Sequence, residues 1–281
     1  MTELTELHSS QEETDTRVIL YLHHAVKKGY KSAVVRTPDT DLFFILLHHA
    51  NSVRLTIIID IGTGKHRQLV NITELSETLG PEFSSTLLGY YVYSGEDCTS
   101  SFKGKGKVHA LKVIERNPKY HSAFRQLGET WTLDSNTAAQ LESFTCHIYN
   151  YPRDNYVNKV RSKMIKSMVG ENEVISHKSK VDLSRIPPCQ DSLIPHLQRV
   201  NYRVAGYRRA GEPFWDAPEP STQDQGWENG QNGLLEPVWS KGPILPPSLA
   251  DLLEERPEKD GGDEEEEDDI EIDFDMLMDD E

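Results

Sequence analysis

Three groups of carboxylates and one lysine-glycine turn are the parts of this chain whose types and spacing suit chemistry. Glu12, Glu13 and Asp15 stand just ahead of an apolar helical repeat. Asp39 and Asp41 follow residues 32–36, which read as a short buried strand, so they fall at the C-terminal end of a strand, where open α/β sheets place ligands. Asp97 comes after an apolar helical stretch and before a glycine-rich turn. Carboxylates gathered on one side of a sheet repel one another unless a cation joins them, and hard oxygen donors select Mg²⁺ or Mn²⁺. Two such ions activate water and stabilise the leaving oxygen when a phosphodiester is hydrolysed. Each group also has a plain structural reading: helix capping for Glu12, Glu13 and Asp15, and ordinary turn residues for Asp39 and Asp41.

The turn is Phe102-Lys103-Gly104-Lys105-Gly106-Lys107. Its two glycines let backbone approach a phosphate, and the helix that follows offers free N–H groups. Lys103, Lys105 and Lys107 add a charge attraction that depends on salt and not on sequence. GxxxxGK[ST] is absent, so this is not a Walker loop. The bland alternative is a solvated basic turn. His23-His24 and His48-His49 are adjacent pairs, which diverge by about 100° on a helix and do not chelate one ion. Lys159, Arg161, Lys163 and Lys166 read first as a solvated helix face and second as an accessory nucleic-acid contact.

The elements that carry these residues follow from hydrophobic period and punctuation. Ser10 to Glu13 fits a capping box, and Val18, Ile19, Leu22 and Val26 then recur at helical spacing up to Gly29. Residues 32–36 form a strand, 37–41 a turn and 42–50 an apolar helix. Residues 55–61 form a second strand, which a glycine turn folds onto 67–70. Asn71 or Thr73 caps a helix over 74–79, and Pro81 opens another through Val92. Helical patterns continue at 108–115, 120–128, 137–149 and 155–169. Beyond about 206, Pro, Gly and Trp break the pattern, apart from one edge strand over 234–239 after an Asn232-Gly233 turn and a helical patch at 248–253. This order indicates an α/β layered domain.

Taken in order, Glu13-Thr14-Asp15, Thr37-Pro38-Asp39-Thr40-Asp41 and Gly95-Glu96-Asp97 followed by Gly104-Lys105-Gly106-Lys107 resemble the flap-endonuclease branch of the PIN-like nucleases. The likeness is greatest to large animal proteins often encoded near mobile elements. Its strong motifs cover about residues 11–128, a weaker likeness continues through Asn201-Tyr202 and Gly226-Trp227 to Val238-Trp239, and Glu96 and Cys98 depart from the pattern. It implies a PIN-like α/β fold with a parallel sheet and a helix-turn-helix near 81–116. It also implies metal-site carboxylates at Glu13, Asp15, Asp39, Asp41 and Asp97, of which Asp39, Asp41 and Asp97 carry the catalysis. Lys103 to Lys107 would grip a nucleic-acid backbone, DNA before RNA. The family's first strand and its acidic residue have no counterpart ahead of Glu12, so the domain is expected to be N-terminally incomplete. The implied reaction is metal-dependent phosphodiester hydrolysis on structured or branched nucleic acid. The rival reading is a non-catalytic interaction protein that binds nucleic acid or protein.

Charge is unevenly spread. Between Glu258 and Glu281 there are fifteen acidic residues against one lysine, a charge of -14, which leaves only -2 of the total -16 for the rest of the chain. Mixed with Ile, Phe, Met and Leu but too polar to bury a core, that tail reads as disordered, with a basic protein as its partner or with the chain's own basic turn in competition with DNA. The expected organisation is a nuclease-like region over 1–130, a helical extension over 131–205, an irregular segment over 206–256 and the tail over 257–281. Cys98, Cys146 and Cys189 are scattered without a CxxC pair, which disfavours structural zinc and suits a reducing compartment. There is no membrane-length apolar run and no signal core in the first eleven residues, so an intracellular site, nuclear before cytoplasmic, is expected.

Overall fold

The computed structural model describes residues 5–169, 183–221 and 224–242. In chain order the helices are α1 (Thr14–Lys27), α2 (Thr40–His49), α3 (Ile72–Leu79), α4 (Pro81–Tyr93), α5 (Lys107–Arg116), α6 (His121–Gln126), α7 (Ser135–Ile148), α8 (Val157–Val169) and α9 (Gln190–Arg208). The strands are β1 (Ser32–Thr37), β2 (Thr56–Ile61), β3 (Gln68–Asn71), β4 (Trp227–Asn229) and β5 (Leu235–Pro237). Among the described residues the chain is thus α/β, with nine helices, a small mixed sheet and one hairpin. Residues 1–242 form one compact unit. The tail and the helical patch at 248–253 lie outside the described residues.

The sheet runs β1-β2-β3. β1 and β2 are parallel, with Val34 opposite Ile58 and Arg36 opposite Asp60. β3 is antiparallel to β2, with Asp60 opposite Leu69, so the sheet is mixed where a parallel one was expected. The cause is the link: six residues between β2 and β3 make a tight return, whereas a parallel partner needs a crossover of a dozen or more. Ile57 and Ile59 on one face are wholly buried in the core that also holds residues of α1, α2 and α3. On the other face Val34 and Leu69 are exposed, and Arg67 pairs with Asp60 through two 2.6 Å bonds.

α4 is the central pillar, packed against α2, α3, α6 and α9. It is buried nearly all round, as a helix apolar on every side must be. Two of its buried hydroxyls are satisfied at the helix itself, Ser84 and Thr86 each donating at 2.9 Å to the carbonyl four residues back. α9, the longest helix, carries Leu193, Leu197, Val200 and Val204 into the same core. Pro195 has no N–H for the Asp191 carbonyl, and the backbone N–H of Lys241 donates to it instead at 3.0 Å. That bond fixes the segment after β5 against α9.

The start of α1 differs from the capping-box expectation. Glu13 is the N-cap residue, with extended backbone, and the helix begins at Thr14. Ser10 is used elsewhere: its N–H donates to the Pro213 carbonyl at 3.0 Å and its Oγ accepts from the Trp215 N–H at 3.3 Å. A contact some 200 residues away in sequence outcompetes the local cap. Asn71, not Thr73, caps α3, because the Thr73 hydroxyl serves the β2 backbone at Ile57 and Leu55.

Candidate functional site

Four of the carboxylates owe their positions to helix starts. Glu13 and Asp15 sit on the N-terminus of α1. Asp39 caps α2, accepting the Asp41 N–H at 3.0 Å, and Asp41 opens the first turn. Both follow directly from the C-terminal end of β1. Glu96 is set by the turn after α4, where Gly95 adopts φ +109°; a Cβ there would lie 2.8 Å from that of Ser101, so only glycine permits the turn. Its side chain is fully buried. Asp97 lies one residue on and is exposed.

These groups share one electrostatic field. Burial pushes the Asp15 carboxyl above the usual carboxylate range, and Asp39, Asp41 and Glu13 push it further, against a smaller opposing pull from Arg203. Glu96 is raised by burial, with Arg203 opposing. The structure therefore brings Glu13, Asp15, Asp39, Asp41 and Glu96 into mutual influence and leaves Asp97 on the solvent side.

Arg203 of α9 enters this group as its internal cation. Its Nη1 donates to Glu13 Oε1 at 2.6 Å, its Nε lies 3.3 Å from Glu96 Oε1, and its Nη2 donates to Tyr207 Oη at 2.6 Å. Burial opposes the charge of Arg203, but Tyr207, Glu13 and Glu96 hold its proton more firmly than usual. Tyr207 donates to Asp41 Oδ2 at 3.1 Å and Tyr91 donates to Asp41 Oδ1, so a buried carboxylate is satisfied by two phenols. Burial first, and then the Asp41 contact, raises the Tyr91 pKa. Arg203, Tyr207 and Tyr91 were not read as site residues from the sequence, and Glu96 entered only as a departure from the family pattern. The i, i+4 spacing of Arg203 and Tyr207 was a usable signal, but only once α9 had been placed.

The lysine-glycine turn adjoins this cluster. Gly104 has φ +70° with open space where a Cβ would stand, Gly106 is equally open, and Gly106 begins α5 without any side-chain cap. Lys107 Nζ lies 4.3 Å above the Tyr91 ring, and Lys105 Nζ lies 4.5 Å above that of Tyr149. Burial lowers the pKa of both lysines, and Asp41 and Glu96 partly restore that of Lys107. Lys103 is exposed. On α8, Lys159 and Lys163 instead pair with Asp154 at 3.5 and 2.6 Å. His49 Nε2 bonds the Tyr207 carbonyl at 2.8 Å, and burial pushes His48 down to about 3, so these rings are neutral core groups.

The donors gathered here are carboxylate oxygens, the type that a hard divalent cation takes. Five carboxylates face two cations, Arg203 and Lys107, and the neighbouring carboxylates add to the burial that lifts Asp15. Among the described residues no three His, Cys, Asp or Glu side chains converge as a ready shell. Glu13 and Glu96 are engaged by Arg203, and Asp41 by the two phenols.

All three cysteines are free thiols. Among the described residues no helix is long and apolar enough to cross a membrane. Comparison with protein-family models, with curated proteins and with solved structures finds no match to this chain.

Proposed function

We propose that this chain holds a nucleic-acid backbone on the Gly104–Lys107 turn and hydrolyses phosphodiesters at the adjoining carboxylates, in a PIN-like fold of flap-endonuclease type. The observation that carries the reading is the link between the two features: Lys107, first residue of α5, covers Tyr91, and Tyr91 bonds Asp41. A phosphate seated on the uncapped start of α5 therefore lies beside the carboxylates. Asp15 and Asp39, with Asp41 and Glu13, would hold a Mg²⁺ or Mn²⁺ ion, and Asp97 is open to it from solvent. Such an ion supplies an activated water and stabilises the leaving oxygen. The chain's own contribution is positional: Tyr91 and Tyr207 orient Asp41, Gly95 sets the turn bearing Glu96, and Lys107 offsets charge between phosphate and carboxylates.

A second reading, non-catalytic nucleic-acid binding, is favoured by one observation: Arg203 already fills part of the cation's role. Calorimetry with Mn²⁺ on the wild type and on Asp39→Asn/Asp41→Asn, alongside cleavage of a labelled branched DNA, separates the two. Mn²⁺ binding and cleavage, both lost in the double variant, support the nuclease. Nucleic-acid binding with neither Mn²⁺ uptake nor cleavage supports the second reading.

A further inference from the structure

A cavity of about 200 Å³ opens beside the lysine-glycine turn, lined among others by Phe102, Lys103, Tyr149, His196, Arg199 and Trp239. Among the described residues, two of its lining groups lack the partner their chemistry calls for. Arg199 is only 2% exposed, and among the described residues no carboxylate pairs with it. Its Nη1 donates to the carbonyls of Gly226 at 3.1 Å and Val238 at 2.7 Å, and its Cζ lies 5.9 Å and 5.5 Å from the ring centres of Trp227 and Trp239. A buried cation without a counter-anion is costly and attracts one. His196 is 5% exposed. Its Nε2 faces the Tyr93 carbonyl at 3.1 Å, so that nitrogen carries the proton, and Nδ1 is an acceptor with no donor. At the rim Trp239 is 67% exposed.

A nucleotide supplies what is missing: a phosphate, N–H donors and a flat π face. Volume narrows the choice. A cavity of about 150 Å³ holds one benzene, so this one holds a single-ring base with its exocyclic groups. Position adds continuity. Lys103 both lines the cavity and begins the turn, and Tyr149 both lines it and lies under Lys105. We propose that this cavity takes one unstacked pyrimidine of a single-stranded segment whose backbone follows the turn at residues 102–107. The proposal rests on the nucleic-acid reading above and adds the strandedness and the base size of the ligand.

The test is fluorescence anisotropy of the full chain with three labelled twelve-mers: thymidine DNA, uridine RNA and an abasic DNA of equal charge. Stacking of one base on an aromatic side chain predicts roughly ten-fold tighter binding of the thymidine strand than of the abasic one. Trp239→Ala, a change at an exposed side chain, removes that preference and leaves abasic binding unchanged. Equal preference for uridine means the base alone is read; a loss with uridine assigns the cavity to DNA. If thymidine and abasic strands bind equally, or if Trp239→Ala keeps the preference, the cavity proposal is overturned and backbone binding on the turn stands. If no strand binds, the nucleic-acid reading itself fails and the proposal goes with it.

Discussion

Arg203→Gln is the most informative single change, because Arg203 ties α1, the Gly95 turn and α9 together by charge. Its guanidinium is 2.6 Å from Glu13 and 3.3 Å from a fully buried Glu96. Removing one partner of a buried pair costs about 3–5 kcal/mol. Glu13 is 47% exposed, so its share is screened and the lower end, about 3 kcal/mol, applies. For a compact unit of 242 residues this lowers Tm by about 6–12 °C. The variant also frees Glu13 and Glu96 for an external cation. Mn²⁺ at about 100 times its Kd restores about 2.7 kcal/mol, most of the loss. In the wild type the same Mn²⁺ raises Tm less, because the ion must first displace Arg203. The assay is calorimetric melting at pH 7 with Mn²⁺ and with chelator. A variant that melts within about 2 °C of the wild type in chelator would refute the buried-pair reasoning. Equal Mn²⁺ effects on both proteins would refute the competition.

Three further outcomes follow from the same geometry. Asp15→Asn stabilises the protein at pH 7: the folded pKa is raised, so the stability linked to the protonated form is present below about pH 4 and lost as pH rises through the folded value. Screening of this half-buried group limits the gain to about 0.5 kcal/mol, or 1–2 °C, and melts at pH 3 and 7 should show it at pH 7 alone. His196, pushed down to about 4 by burial first and then by Arg199, acts in the opposite sense: stability is full above about pH 6.5 and falls by about 3 kcal/mol toward pH 4. His196→Asn should therefore flatten, without abolishing, the acid limb in urea titrations, since His48 is depressed in the same direction. Gly89→Ala sets a Cβ against the Phe124 carbonyl where α4 meets α6, an overpacking worth about 1–3 kcal/mol; an unchanged urea midpoint would show that this crossing is looser than described.

What the sequence displayed and what it concealed divide along one physical line. Elements marked by local signals were legible: β1 and β2 from short apolar runs, the body of α2 from its apolar stretch after the Pro38 turn, α4 from its opening Pro81, and β5 from the Asn232-Gly233 turn, though its partner β4 was not read. The start of α2, for one, is closed locally by the Asp41 N–H on Asp39. The carboxylate cluster is different, because its decisive contacts cross the chain. Ser10 left its cap for Trp215, Glu13 took the cap position, and Arg203 reached back 190 residues to meet it. The carboxylates could be named from spacing, but not which neighbour of the pair Glu96-Asp97 turns inward; Gly95 and the wall of α9 decide that. α9 itself carried a readable repeat at Leu193, Leu197, Val200 and Val204, masked by Pro195. Its tolerance of that proline depends on the Lys241 N–H, a donor from beyond β5 that no helical period announces. The same bond sets Trp239, two residues earlier, at the rim of the cavity beside Arg199. A proline that hid the helix from the sequence is thus part of what anchors the segment bearing the exposed indole, and the cavity and the concealed helix have one physical origin.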